Sequence, residues 1–172
     1  MSKKAIRAVK KACKDAFIDS HAEHGDHTVI VKPEKLLEVV RFLHDDPDMD
    51  MKHFCDLTVV DWPEREERFE VVIHLHSLTR HHRIRVKASV AESDPVVPSI
   101  TPLYKGANWF EREAFDMYGV KFEGHPDLRR ILLWEEFEGH PLRKDYPKKR
   151  RQCPIPFRED HPDQPPPFRE RP

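Results

Sequence analysis

Apolar residues recur with period two through the middle of the chain. From Arg68 to Ser77, Phe69, Val71, Ile73 and Leu75 alternate with Glu70, Val72, His74 and His76. From Arg83 to Val90, Ile84, Val86, Ala88 and Val90 alternate with Arg83, Arg85, Lys87 and Ser89. Such alternation predicts two half-buried antiparallel strands. The polar stretch 78–81 predicts a hairpin between them, with His81 and His82 in its loop. Phe54–Trp62 and the β-branched run His27–Val31 predict two further strands. Elsewhere the spacing is helical. Leu36, Leu37, Val39, Val40 and Leu43 predict a helix over 33–45, opened by Pro33 and ended by Asp45-Asp46-Pro47-Asp48. Ile6, Val9, Cys13 and Phe17 fall on one stripe of a short amphipathic N-terminal helix, with a polar loop after it. Asn108 is placed to cap a helix over 109–118, with Glu111 reaching back as in a capping box and Gly119 as the stop.

These elements predict an α+β fold: an antiparallel or mixed sheet with helices packed on one face, plus an extended Pro-rich C-terminal tail. The division expected is an N-terminal helix and loop (1–26), an α+β domain (27–146) and the tail (147–172). From Pro147 onward the chain carries eight of the 16 prolines, the basic run Lys148-Lys149-Arg150-Arg151, and too few apolar groups for a core of its own. The tail is expected to stay disordered or to lie on a partner.

With 38% hydrophobic residues the 172-residue chain can bury one modest core, and a net charge of −1 gives no pointer to nucleic acid. No apolar run approaches the ~18 residues of a membrane span. The basic N-terminus lacks the apolar stretch of a secretory signal. Cys13, Cys55 and Cys153 lie far apart without a C-x-x-C pair, so neither a disulfide framework nor an iron–sulfur cluster is expected on this chain.

The 12 histidines raise the question of a metal. His74 and His76 share one strand face, but the hairpin places Arg83, Arg85 and Lys87 across from them, and a cationic wall disfavours a bound cation. The expectation is a solvated basic face, or docking to an acidic partner. His21, His24 and His27 have helical chelate spacing, but Gly25 among them predicts a loop. No phosphate loop and no nucleophile motif is present.

The densest stretch is Trp109–Tyr146, which holds two copies of Phe-Glu-Gly-His-Pro, at 122–126 and 137–141. Each copy combines an aromatic anchor, a glycine suited to an unusual turn and a rigidifying proline. They read as two rigid loops bracketing the apolar run Ile131–Trp134. On the helix before them, Glu113 and Asp116 share a face, and Arg112 is spaced to pair with Asp116. Paired carboxylates can serve acid–base catalysis, but no pocket signature accompanies them. Ion pairs that set register across an interface are the expected role.

This segment resembles the thirty-kilodalton subunit family of respiratory complex I, the C subunits of NADH-quinone oxidoreductase. The resemblance rests on Glu111-Arg112-Glu113, Asp116, Met117-Tyr118, His125-Pro126, Arg129-Arg130 with Ile131-Leu132, and the later His140, Arg143 and Asp145-Tyr146. It implies a hydrophilic peripheral-arm subunit with a structural role in a proton-translocating NADH:quinone oxidoreductase. Catalytic, cofactor-binding and metal-binding residues are then expected to be absent from this chain, with FMN and iron–sulfur clusters held by partner subunits. The implied main contact is the D-subunit homologue, with the B subunit and other peripheral-arm subunits nearby, on the cytoplasmic side of a bacterial inner membrane. Glu111, Arg112, Glu113, Asp116, Tyr118, His125, Pro126, Arg129, Arg130, His140, Arg143, Asp145 and Tyr146 are the implied partner-interface residues. An equivalent subunit of a membrane-bound hydrogenase, or of another non-NADH dehydrogenase complex, is the alternative within this reading. A freestanding metal-dependent enzyme is the alternative outside it.

Overall fold

A computed structural model describes residues 3–149; the tail beyond Lys149 lies outside the described residues. The elements run α1 (Lys3–Ala12), β1 (Phe17–Glu23), β2 (Asp26–Val31), α2 (Leu36–Asp45, preceded by a single 3₁₀ turn at Pro33–Lys35), β3 (His53–Asp61), β4 (Phe69–Ser77), β5 (His82–Val90), β6 (Val96–Pro98), α3 (Ala107–Tyr118) and β7 (Lys121–Glu123). β1 to β5 form one sheet in the order β1-β2-β5-β4-β3, and β6 pairs with β7 in a small second sheet.

The alternating strands form the centre of the large sheet. β4 and β5 pair antiparallel from Phe69↔Val90 to Ser77↔His82. β2 lies parallel to β5, so the sheet is mixed. One face buries Val29, Val31, Leu57, Val59, Phe69, Val71, Ile73, Leu75, Val86 and Ala88. Ala5 and Val9 of α1 and Leu36, Val39, Val40 and Leu43 of α2 complete that core. Burying a Leu or Ile side chain contributes about 1.5–3 kcal/mol, so this single layer carries most of the apolar stabilisation.

Two features depart from the sequence reading. The N-terminal helix ends at Ala12, short of Cys13 and Phe17 on its expected stripe, and the stretch Phe17–Glu23, whose remaining residues read as loop, is the edge strand β1. Its sequence, FIDSHAE, mixes apolar and polar residues on both faces, as an edge strand outside the core tolerates, so no period-two signal marks it. It is joined to β2 by a two-residue turn in which His24 (φ 52°) and Gly25 (φ 86°) both take positive φ, as the tight hairpin turn that follows strand twist requires. His82, read as a loop residue, begins β5. It is buried, and its Nε2 faces the Met49 carbonyl at 3.2 Å.

The opposite sheet face is the basic one. His74 sits across from Arg85 and His76 across from Arg83, as the hairpin spacing predicts. Arg85 Nε donates to His74 Nε2 at 2.9 Å. Burial and the Arg85 charge together hold the His74 imidazole below its ordinary pKa. Two ion pairs lie on this face, Arg85 with Asp26 at 3.1 Å and Lys87 with Glu70 at 2.7 Å. No three His, Cys, Asp or Glu side chains converge among the described residues in a way that could hold a metal ion.

Candidate functional site

The segment 124–146 contains no helix and no strand. It is nonetheless held along its length, as a strap over α3. The principal anchor is Asp116, whose side chain is fully buried. Its Oδ2 accepts the backbone N–H groups of three consecutive residues, Ile131 at 3.1 Å, Leu132 at 2.9 Å and Leu133 at 2.9 Å. Its Oδ1 accepts from Arg130 Nη1 at 2.8 Å. Burial alone pushes the carboxyl pKa up. The Leu133 and Leu132 amides, Arg130 and the Ile131 amide outweigh it, so Asp116 titrates below its ordinary range. Arg130 also donates to the carbonyls of Phe137 at 3.0 Å and Gly139 at 3.3 Å.

The strap also satisfies the C-terminal end of α3, where four carbonyls lack helical partners. His140 Nδ1 bonds the Asp116 carbonyl at 2.9 Å, the Leu142 amide bonds that of Met117 at 3.2 Å, and Arg143 Nε bonds that of Tyr118 at 2.6 Å. Gly119 closes the helix in the left-handed conformation (φ 80°). A Cβ there would lie 2.6 Å from both Arg143 Nη2 and His140 Nε2, so the glycine serves the close approach of the strap as well as the turn.

The two Phe-Glu-Gly-His-Pro copies divide the work. Gly124 and Gly139 both take positive φ, 80° and 90°. The first histidine reaches toward the start of α3, with His125 Nε2 facing the Asn108 carbonyl at 3.3 Å. The Asp127 amide donates to His125 Nδ1 at 3.0 Å, which makes Nε2 the protonated nitrogen. The second histidine, His140, serves the far end of the helix. Burial lowers both imidazole pKa values and keeps the rings neutral.

Further along, the strap joins the sheet. Arg68 forms a two-point pair with the buried Asp61, Nε to Oδ1 at 2.7 Å and Nη2 to Oδ2 at 3.0 Å. It also binds Asp145 at 2.8 Å and Glu92 at 2.8 Å. The Lys144 amide donates to Asp61 Oδ2 at 2.7 Å, and Arg143 reaches Glu92 at 3.4 Å. Arg68 is therefore held charged by Asp61 and Asp145. Its role is not visible in the sequence, because Asp145 lies 77 positions away. Tyr146 stacks on Phe137 with ring centroids 6.1 Å apart, and Phe137 meets Trp134 edge-on at 4.9 Å.

The helix start differs from its expected form. The N-cap is Gly106, with no side-chain cap, and Asn108 lies inside the helix. Glu111 does not close a capping box. Its side chain is fully buried and accepts from Ser99 Oγ at 2.7 Å and the Ile100 amide at 2.8 Å, tying α3 to the segment after β6. Burial raises its pKa to about 7, against the pull of those hydrogen bonds. Arg112 does not pair with Asp116 either. It turns outward to the carbonyls of Arg129 and Arg130, both at 3.1 Å, and its guanidinium lies 5.8 Å from the Trp109 ring centroid. Arg130, eleven positions beyond Gly119, takes the Asp116 contact instead, because the strap brings its Nη1 to Oδ1 while its Nη2 reaches the Phe137 carbonyl.

The sequence reading gives these ions a partner in another chain. The structure gives Glu111, Arg112, Asp116, Arg130, Arg143 and Asp145 partners within this one. Glu113 and Pro126 are exposed, Tyr118 is half-buried, and Arg129 pairs with Asp127 at 3.0 Å in the open. What the strap leaves uncovered is apolar. Leu132 is 64% exposed and Leu142 48%, while Ile131, Leu133, Trp134, Phe137 and Tyr146 are only half-buried. A fixed backbone that displays large apolar side chains is the form of a docking surface.

Residues 29–152 match the family described as "Respiratory-chain NADH dehydrogenase, 30 Kd subunit". The chain is 46% identical over 155 residues to the C subunit of NADH-quinone oxidoreductase from Roseiflexus castenholzii, covering 90% of this chain and 89% of that one. It is 55% identical over 130 residues to the C subunit from Rhodobacter capsulatus, covering 76% of this chain and 65% of the relative, so it spans just under two thirds of that protein. Among solved structures it is similar to the trypsin-resistant fragment (1–134) of Nqo5, with a TM-score of 0.64 and 30% identity over 74% of this chain and all of that one. It also shares the fold of a chain in the membrane-bound sulfane sulfur reductase, an archaeal respiratory membrane complex, with a TM-score of 0.68 at 22% identity over 86% of each. The family match takes in the large sheet from Val29 within β2 onward, α3 and the strap, and it settles membership: the chain belongs to the thirty-kilodalton subunit family of respiratory-chain NADH dehydrogenase.

Proposed function

We propose that this chain is the C subunit of an NADH-quinone oxidoreductase, a peripheral-arm protein whose task is to hold neighbouring subunits in place. The observation that carries the reading is the strap. The family's signature residues lock 124–146 into one shape, and that shape presents Leu132, Leu142 and the Trp134–Phe137 pair to solvent. Preorganisation lowers the ordering cost of association, about 0.5–1.5 kcal/mol for each side chain that need not be immobilised on binding. Glu113 and Arg129, exposed at the edge of this surface, set register against the partner, which we take to be the D-subunit homologue with the B subunit nearby.

In this reading the chain holds no redox centre of its own. Its cysteines support that. Among the described residues Cys13 is buried and Cys55 exposed, and these two lie apart, one just after α1 and one on β3, not clustered as the thiolates of an iron–sulfur centre are. FMN and the clusters belong to partner subunits, and electrons pass from NADH to quinone in the whole complex. No helix among the described residues is long and apolar enough to cross a membrane. Attachment at the cytoplasmic side of the inner membrane would come through the partners.

The test is affinity purification of the full-length chain from its native membrane, with identification of the co-purifying chains. Homologues of the D and B subunits, together with a flavin-bearing NADH-oxidising module, are expected. Recovery of hydrogenase-type subunits without that module would assign the chain to a different respiratory complex. Recovery of the chain alone would overturn the assembly role. Leu132→Asp in the tagged chain should reduce recovery of the D-subunit homologue by about tenfold or more while leaving the melting temperature of the chain unchanged.

A further inference from the structure

Half of α1 is cationic. Of its ten residues Lys3, Lys4, Arg7, Lys10 and Lys11 carry a positive charge, and none carries a negative one. At 3.6 residues per turn these cations fall within an arc of about 120° and run for about 12 Å along the axis. All of them are exposed. The other side of the helix is turned inward, with Ala5 and Val9 fully buried in the core beside α2. The net charge of the whole chain is −1, so the stripe is a local concentration of charge on a protein that is not basic.

The chain does little to neutralise it. Lys4 meets Asp48 at 3.3 Å, with both side chains open to solvent, and Lys10 lies over the Phe17 ring at 5.4 Å. Lys3, Arg7, Lys10 and Lys11 form no ion pair among the described residues. Arg7 stands four positions from both Lys3 and Lys11 and three from Lys10, spacings at which like charges repel on a helix. Lys3 and Lys4 also occupy the first turn, where the helix dipole favours carboxylates. An arrangement that opposes the helix it stands on calls for a compensating charge from outside the chain.

The shape of the stripe selects the kind of partner. A basic helix that lies on a lipid surface buries an apolar face in it, whereas α1 commits Ala5 and Val9 to its own core. A broad anionic surface would also meet the exposed carboxylates of Asp48, at the edge of the stripe, and Asp15, just past its end. A narrow acidic segment, one helix or one extended strand wide, meets the cations alone. α1 precedes Val29, where the match to the family begins, so this face belongs neither to the matched segment nor to the strap.

We propose that the outer face of α1 docks an acidic segment of a neighbouring protein subunit, whose carboxylates pair with Lys3, Arg7, Lys10 and Lys11. The proposal rests on the reading of the chain as a subunit of a larger complex, and it adds a polar contact to the apolar one offered by the strap.

The experiment uses the complex purified through the tagged full-length chain and treated with a carbodiimide, which joins lysine amines to carboxylates in direct contact with them. The Lys4–Asp48 pair supplies the internal standard. Mass spectrometry should find Lys3, Lys10 or Lys11 linked to Asp or Glu within one short stretch of a co-purifying chain. The links should fade as salt rises toward about 1 M, where the screening length falls to about 3 Å. Arg7→Glu, Lys10→Glu and Lys11→Glu combined should lower recovery of the linked chain about tenfold while the melting temperature of the tagged chain stays the same, since all three side chains are exposed. A complex that keeps its partner subunits but yields only the Lys4–Asp48 link would overturn this proposal and leave the assembly role standing. Sedimentation of the chain with phosphatidylglycerol vesicles, lost in the triple variant and found in place of protein links, would overturn it by assigning the face to lipid. Recovery of the chain alone would overturn it together with the assembly role.

Discussion

The β4–β5 hairpin and the strap 124–146 are both well ordered, but different forces order them. The hairpin is held by its own backbone, in an unbroken ladder of nine cross-strand pairs in which alternate residues exchange amide–carbonyl bonds across the hairpin. Its side chains decide which face is buried and have little part in fixing the backbone. In the strap the relation is reversed. Its amides have no strand partner, and beside isolated turn bonds side chains supply the acceptors that fix it to the body: Asp116 for residues 131–133 and Asp61 for Lys144. A ladder distributes its dependence over many residues. A strap concentrates it on two or three carboxylates, and it can hold a shape that no regular element offers, including apolar side chains turned outward.

Removing the strap's anchor gives the largest expected effect. Asp116→Ala leaves three partly buried amides without their acceptor and takes the carboxylate from Arg130, at a cost of about 4 kcal/mol, in the range for breaking a buried charge pair. Hydrogen exchange should show protection lost at Ile131, Leu132 and Leu133 but kept in β4 and β5. Uniform loss across both regions would show that strap and sheet open as one unit. Ile73→Ala attacks the other region. Ile73 is fully buried at the sheet centre, and truncation should cost about 3–4 kcal/mol. The expected reading is a lowered midpoint of global unfolding in urea, with residues 131–133 keeping their protection until that midpoint is approached.

The same contrast explains what the sequence discloses. Period-two alternation in Phe69–Leu75 and Ile84–Val90 marks the core strands, because one buried face demands it. The hairpin register, and with it His74 across from Arg85, follows from loop length alone. β1 escapes because an edge strand of mixed polarity carries no alternation. The strap residues stand out as a cluster, and the glycine turns at Gly124 and Gly139 are legible from composition. Their pairing is not. Helical spacing suggests Arg112 for Asp116, whereas a chain reversal delivers Arg130. Likewise Arg68 reads as an ordinary strand-end cation until the fold places Asp61, Glu92 and Asp145 around it. Contacts made across long sequence separations between irregular segments leave no periodic trace.

Glu111 lies outside both regions, fixing α3 to the segment after β6, and it gives the next effect in size. Its pKa is raised to about 7 from an ordinary 4.5. An acid with a raised folded pKa favours the fold fully below its ordinary pKa, and that contribution is lost as pH rises toward the folded value. Wild-type stability should therefore lose about 3 kcal/mol from this group between pH 4.5 and 7, at about 1.4 kcal/mol per pKa unit. His74, His82, His125 and His140 act in the opposite sense. Their pKa values are lowered by burial, so their contribution is lost as pH falls below the ordinary 6.5. The informative quantity is thus the difference between wild type and Glu111→Gln, in which the amide keeps an acceptor for Ile100 and cannot ionise. The variant should gain on the wild type steadily across that window in urea midpoints. A constant difference would mean that Glu111 keeps an ordinary pKa.

The smallest of these effects isolates the approach of the strap from its anchors. Gly119→Ala leaves Asp116, Arg130 and every apolar contact in place. It adds one methyl group at a φ of 80°, which an alanine adopts only under strain, and aims that methyl at the Arg143 and His140 side chains. Backbone strain of this kind costs about 1–3 kcal/mol, so a loss of about 2 kcal/mol is expected in the stability read from urea unfolding. Both displaced side chains bond carbonyls at the end of α3, His140 to Asp116 and Arg143 to Tyr118. They should give way before the buried carboxylate does. Exchange should accordingly quicken at Leu142, whose amide bonds the neighbouring Met117 carbonyl, while residues 131–133 keep their protection. A variant that instead releases 131–133 would show that the Asp116 grip depends on the helix end being closed, and that the strap is held as a single latch from Arg130 to Asp145.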